Sequence, residues 1–386
     1  MDFSILYLFC SNLGVQSQPM TIVLDTTIRP QILHGRGAIS NAVGRYERQT
    51  RVLLDDGWDD GWRAEDDAPA PIRTEVVHDA TRTIIARNQS PDISFDQSIN
   101  PYRGCEHGCV YCFARPTHAY MGLSPGLDFE TKLFAKQGAA ELLEQELANP
   151  NYKPQTIAIG TNTDPYQPIE RTRRVMRSVL EVLHRTSHPV AIVTKSNLVT
   201  RDIDLLAPMA AEGLAKVAIS ITTLDPVLAR KMEPRAPTPA KRLEAIRQLS
   251  AAGIPVAVMV APILPGLTDH EIEKILAAAW EAGAREAGYV LLRLPLEVKD
   301  LVRGWLEENY PDKAKHVLSL VRSTRGGKDY DPTFGQRQTG TGPYAWTIGR
   351  RFEMAARRLG FNERKLTMRT DLFDPPVLQG GQYALL

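Results

Sequence analysis

Three cysteines fall within eight residues in the stretch Arg103-Gly104-Cys105-Glu106-His107-Gly108-Cys109-Val110-Tyr111-Cys112-Phe113. Their spacing is C-x3-C-x2-C. Thiolates are the soft ligands that iron–sulfur clusters and zinc select. Three of them on one tight loop can take three corners of a cubane cluster, with Gly104 and Gly108 letting the backbone fold around it without Cβ clashes. A four-iron cluster held this way keeps one iron free of protein ligands, open to direct coordination by a substrate or cofactor. The alternative chemistry is a structural zinc site, which needs four protein ligands. His107 or His118 would supply the fourth, although the spacing and the aromatic residue before Cys112 are unusual for zinc modules. The fourth cysteine is Cys10. A secreted disulfide framework spreads an even set of cysteines along a small domain; this clustering reads instead as a reducing, cytoplasmic compartment.

A loop of this kind needs a rigid scaffold, and the chain from about residue 93 supplies a regular one. Ile93–Asp96, Thr156–Gly160, Pro189–Thr194, Val217–Ile221, Pro255–Val260 and Tyr289–Leu292 read as short apolar strands. Between them, residues 128–149, Val175–Leu183, 201–212, 239–252 and 269–282 recur at helical spacing. Continuous apolar strands separated by helices are the mark of a parallel sheet covered on both faces. Six strand–helix units are too few for a full eight-unit barrel, so the expectation is α/β with a partial (β/α)6 TIM-type barrel; an open doubly wound sheet is the other candidate. No glycine-rich dinucleotide fingerprint follows any strand.

The remainder reads as an N-terminal extension, 1–92, the barrel, 93–299, and a small helical C-terminal region, 300–386, whose last helix spans Tyr344–Leu359 before Gly360. The first nineteen residues read as a start-site extension ahead of Met20 or a disordered tail, and Asp55–Trp62 as an acidic, solvated linker. The apolar run Phe3–Cys10 is far shorter than the roughly 20 residues of a membrane span. With 46 Lys+Arg against 45 Asp+Glu, the net charge of +1 excludes global polyanion binding. Any nucleic-acid surface must be local, for example Arg171, Arg173, Arg174 and Arg177, or Arg350, Arg351, Arg357 and Arg358.

The cysteine motif resembles that of the radical S-adenosylmethionine (radical SAM) enzymes. Glu233-Pro234-Arg235-Ala236-Pro237 and Ala261-Pro262-Ile263-Leu264-Pro265-Gly266 resemble the subgroup related to spore photoproduct lyase, or DNA repair photolyase-like proteins. The resemblance covers about residues 93–300. It implies a [4Fe-4S] cluster on Cys105, Cys109 and Cys112, with SAM chelating the open iron. It also implies an external one-electron donor of flavodoxin or ferredoxin type, and a 5′-deoxyadenosyl radical that takes hydrogen from an unidentified substrate in a lyase or oxidoreductase reaction. At the strand ends, where such barrels gather their chemistry, it implies SAM contacts from Tyr111, from Thr161, Asn162, Thr163 and Asp164 in place of a Gly-Gly-Glu-like stretch, and from Lys195, Ser220, Thr222 and Arg235. A salt bridge to Glu233 or a neighbour is the competing reading of Arg235. Lyase-like repair or modification of nucleic acid is one alternative function and a non-catalytic zinc protein another. The chain has no cysteine outside the motif except Cys10, whereas spore photoproduct lyase uses an additional cysteine as a hydrogen donor.

Overall fold

Six short strands pair in chain order to form the centre of the computed structural model, which describes residues 35–42, 44–47, 73–364 and 366–377. Cys10, Met20 and the Asp55–Trp62 stretch lie outside these residues. The strands are β1 (Gln97–Ile99), β2 (Ile157–Ile159), β3 (Val190–Thr194), β4 (Ala215–Ser220), β5 (Val256–Ile263) and β6 (Glu286–Leu291). Each is parallel to the next, so that Val217 pairs with Ile192 on one side and Val256 on the other. A doubly wound sheet reverses its strand order at a switch point; this order never reverses. The sheet is the arc of a partial barrel. Ala86–Arg87 adds an antiparallel edge to β1, and among the described residues β6 does not pair with β1.

The crossovers are α1 (Ala139–Leu147), α2 (Val175–Arg185), α3 (Ile203–Ala211), α4 (Pro239–Ala251) and α5 (Ile272–Glu281). Their apolar faces cover the outside of the arc; Val175, Met176, Val179, Leu180, Val182 and Leu183 of α2 are all buried. Strands β3, β4 and β5 alternate in burial, whereas β1 and β2 are buried throughout. In β4, Ala215, Val217 and Ile219 face the helices, while Lys216 and Ala218 are half-buried. The inward positions are mostly small, and that leaves a lumen.

Two expectations shift. Residues 128–149 are not one helix: Asp128–Thr131 makes a single turn and Lys132–Ala135 is a strand, parallel to Glu75–His78 and antiparallel to Tyr102–Arg103. Leu133 and Ala135 are buried while Lys132 and Phe134 are half-buried, the period-two alternation of a strand. The first barrel strand is Gln97–Ile99 rather than Ile93–Asp96, because its polar residues are buried and bonded: Gln97 donates to the Lys153 carbonyl at 3.2 Å and accepts from the Tyr152 hydroxyl at 2.6 Å.

After β6 come α6 (Val298–Asn309), α7 (Pro311–Ser323) and α8 (Gly342–Leu359). Helix α8 stops at Gly360, which takes the left-handed conformation at φ 86°. It is tied to the barrel by the Arg351–Glu273 ion pair at 2.7 Å and by Tyr344 donating to Asp269. The stretch 334–338 fills the gap between β6 and the segment before β1. Leu291 N–H donates to the Gln338 carbonyl at 2.8 Å, Gly335 N–H donates to Asp92 at 2.5 Å, and Arg337 pairs with Asp92 and donates to Ser90 at 2.6 Å.

Candidate functional site

At the C-terminal ends of the strands lies a cavity of about 610 Å³, and Cys105, Cys109 and Cys112 all line it. The loop that carries them is held from behind. Arg115, fully buried, uses all five donors: to the carbonyls of Cys109 (2.9 Å), Gly108 (3.2 Å), Pro125 (3.0 Å) and Gly126 (2.9 Å), and to Glu130 (2.5 Å). Glu130 also accepts the backbone N–H groups of Gly37 (3.0 Å) and Ala38 (2.8 Å), so residues 37–38 strap the outside of the loop. Gly104 and Gly108 have φ of 75° and 67°. A Cβ on Gly104 would lie 2.8 Å from the Phe129 carbonyl, and one on Gly108 2.7 Å from Glu130. The glycines therefore make room for the packing behind the loop as well as for its turn. Nothing in the spacing pointed to Arg115 or Glu130 as its clamp.

Burial raises the thiol pKa of all three cysteines, and each of the other two thiols adds to the effect on Cys105. Lys195 opposes it at Cys109 and Cys112. Its ammonium lines the cavity, 5.9 Å from the Tyr111 ring centroid, and makes no ion pair with the described residues.

The loop after β2 is built around Asn100. Its side-chain oxygen accepts Asn162 N–H (2.9 Å) and Thr163 N–H (3.3 Å), and its amide donates to Thr161 (3.3 Å). Asp164 is saturated: it accepts from Thr194 (2.6 Å), Tyr166 N–H (2.9 Å) and Lys195 N–H (2.8 Å), and faces His107 Nδ1 at 3.3 Å. Burial alone would raise its pKa; His107 and these hydrogen bonds outweigh it and hold the carboxyl at about 2. Thr163 donates to the Tyr102 carbonyl at 2.7 Å. The side chains of Asp164 and Thr163 thus position the loop, while the side-chain amide of Asn162 makes no hydrogen bond to the described residues, and Asn162 lines the cavity beside Thr161.

Ser220 lines the cavity and Thr222 does not. Thr222 donates to Glu233 at 2.7 Å and sits 3.2 Å from the Tyr111 hydroxyl, which also donates to Glu233. Glu233 pairs with the buried Arg242. Burial would raise the Glu233 pKa; Arg242, and then Lys195, bring it down to about 2. One buried carboxylate thereby fixes Tyr111 against the ends of β4 and β5. Arg235 lies outside the lining. It pairs with Glu106 at 3.3 Å, and its N–H donates to the His107 carbonyl, which makes it an outer support of the cysteine loop.

Neither histidine is arranged as a fourth zinc ligand. His107 faces Asp164, and His118 lies away from the cavity with Nε2 2.9 Å from the Lys132 carbonyl. Among the described residues no three His, Cys, Asp or Glu come together around a single metal ion. Cys105, Cys109 and Cys112 line the same cavity, and three thiols are the soft donor set that an iron–sulfur cluster takes. Of the arginines considered as a nucleic-acid surface, Arg177 is bound to Glu181, Asp202 and Asp204, Arg350 to Glu353 and Arg351 to Glu273.

Residues 99–279 match the model of the Radical SAM superfamily. The chain belongs to that superfamily, whose members use a [4Fe-4S] cluster and SAM. An uncharacterized protein of Mycobacterium tuberculosis (strain H37Rv) is 38% identical over 242 residues, covering 61% of this chain and 71% of its own length. Another, from Methanocaldococcus jannaschii, is 28% identical over 227 residues, covering 59% and 81%. In fold the chain is similar to spore photoproduct lyase complexed with dinucleoside spore photoproduct, at TM-score 0.53 and 16% identity over 74% of this chain and 80% of that one. A mutant of that lyase with bound AdoMet and the dinucleoside gives TM-score 0.52 at 16% identity over the same shares. No helix among the described residues is long and apolar enough to cross a membrane.

Proposed function

We propose that this chain holds a [4Fe-4S] cluster through Cys105, Cys109 and Cys112 and acts as a radical SAM enzyme on a substrate admitted to the same cavity. The observation that carries this reading is the convergence of three thiols, clamped from behind by Arg115, on a cavity at the C-terminal ends of six parallel strands. When bound, the cluster would pass one electron from an external donor to SAM, whose sulfonium C5′–S bond would break to give methionine and a 5′-deoxyadenosyl radical able to take a hydrogen atom from the substrate.

The chain's own residues bind, orient and exclude water. The Lys195 ammonium suits the SAM carboxylate or the negative charge of a thiolate-bound cluster. Thr161 and the Asn162 amide offer acceptors to the SAM ammonium group, and Ser220 a hydroxyl to its ribose or carboxylate. Tyr111, locked by Glu233, presents a ring to the adenine end, beside Pro262. Asp164, Thr163, Thr222 and Arg235 position these groups.

Protein purified and reconstituted anaerobically should contain about four irons and four sulfides per chain and form 5′-deoxyadenosine from SAM under a strong reductant. Alanine at all three cysteines should abolish both. Stoichiometric zinc in place of iron, or 5′-deoxyadenosine from the triple variant, would sink the reading.

A further inference from the structure

Deepening that reading, and resting on it, we propose that the substrate carries an oxyanion, a carboxylate or phosphate, which Arg293 receives at the β6 end of the cavity. Arg293 lines the cavity just past the end of β6. Its single hydrogen bond among the described residues runs from Nη2 to the Tyr330 hydroxyl at 3.3 Å, and its Nε is buried with no partner among them. No carboxylate among the described residues pairs with it. The other arginine of the lining, Arg337, is neutralised by Asp92. Beside Arg293 stands Arg325, fully buried and bonded to the carbonyls of Leu291, Leu292, Gln336 and Arg337 but to no carboxylate. The charge of Arg293 acts on Arg325, after burial itself, to lower its pKa. Asp331 offsets part of the charge of Arg325, but neither guanidinium has a carboxylate in ion-pair contact among the described residues, and the half-buried Arg293 is left as a positive point on the wall that an anion would complete.

The guanidinium is also pre-oriented. The Phe113 ring lies 5.0 Å from it and the Tyr330 ring 6.0 Å. A guanidinium packed beside aromatic rings keeps N–H groups at its edge for the hydrogen bonds that a carboxylate or phosphate accepts, and here Tyr330 takes one from Nη2. Phe113 follows Cys112 directly, so the anion docks beside the cysteine loop. The lining contributed by β5 and β6, with Phe95, is apolar: Met259, Pro262, Val290 and Leu291. The ligand that fits has an apolar body and one anionic end.

The test is calorimetric titration of the anaerobically reconstituted full-length protein with benzoate, phenyl phosphate and neutral benzamide. At least one anion should bind ten or more times more tightly than benzamide, and the tighter of the two identifies the source of the oxyanion. R293Q should lose that discrimination, and R293K, which keeps the charge but not the fork, should retain part of it. Equal binding of benzamide and both anions by the wild type overturns the proposal without any variant having to fold. So does discrimination that survives in R293Q, or a loss of SAM affinity in R293Q larger than its loss of anion affinity. A wild type with neither iron nor 5′-deoxyadenosine formation would instead defeat the functional reading, which this binding comparison does not measure.

Discussion

Removing the guanidinium of Arg115 would strip donors from four loop carbonyls at once and leave Glu130 buried without its cation. Losing one partner of a buried pair costs about 3–5 kcal/mol, so Arg115→Met should lower unfolding free energy by that order in denaturant titrations. It should also lower the iron retained after reconstitution, because the carbonyls that fix Cys109 relax. Gly160 is a second point of this kind. It sits at φ 89°, and a Cβ there would lie 2.0 Å from the Val193 carbonyl. Gly160→Ala should cost about 1–3 kcal/mol in strain and weaken SAM binding, since the displaced loop carries Thr161 and Asn162. The motif residues were legible because thiols at close spacing have few other uses. The partners of Asp164 and Arg235 were not, because a carboxylate or guanidinium in a loop reads the same whether it meets a ligand or another chain segment.

At the scale of elements, the helices and inner strands could be read because their apolar periods are long. Two features were hidden. The lumen-facing positions of β3, β4 and β5 are largely Ala, Val and Met, so the alternation between helix-facing and cavity-facing residues looks like an unbroken apolar run. Strand β1 is disguised by the polar Gln97 and Ser98, and the side-chain partners of Gln97 lie more than fifty residues away. One of those connections reaches His188, which precedes β3, is fully buried and lies 2.8 Å from the Tyr152 hydroxyl. Burial depresses the His188 pKa from 6.5 to about 4, and does the same to His118. Because the folded values are depressed, this stabilisation is complete above about pH 6.5 and is lost as pH falls from there through about 4. His188→Phe should remove about half of the stability slope that the two histidines give this window, measured by unfolding titrations at stepped pH. The Tyr152 hydroxyl keeps Gln97 as its acceptor in that variant. An unchanged slope would show that His188 does not titrate in the window.

For the molecule as a whole, the two ends of the arc divide the labour. Past α8 the chain returns along the end opposite the cavity: Arg369 N–H donates to the Gly213 carbonyl at 3.1 Å and Asp374 N–H to that of Thr186 at 2.9 Å. There Phe373 packs edge-on against His188 at 5.3 Å and beside Tyr152 at 5.6 Å. Phe373 is half-buried, so Phe373→Ala should cost about 1–2 kcal/mol, below the roughly 3–5 of a fully buried phenylalanine. Iron content and SAM affinity should stay at wild-type levels; a fall in either would mean that the two ends are coupled. None of this return path was legible in the sequence, since its anchors are backbone groups that any residue could supply.

The unpaired flank between β6 and β1 has its own consequence. Elsewhere neighbouring strands are fastened by repeated backbone ladders, whereas here 334–338 is stitched across mainly through Asp92 and Ser90. A few side-chain stitches and the one Leu291–Gln338 backbone bond part at less cost than a ladder unzips, so amide exchange at 334–338 should outpace that of the inner strands, and equal protection would show that the seam is as firm as the sheet.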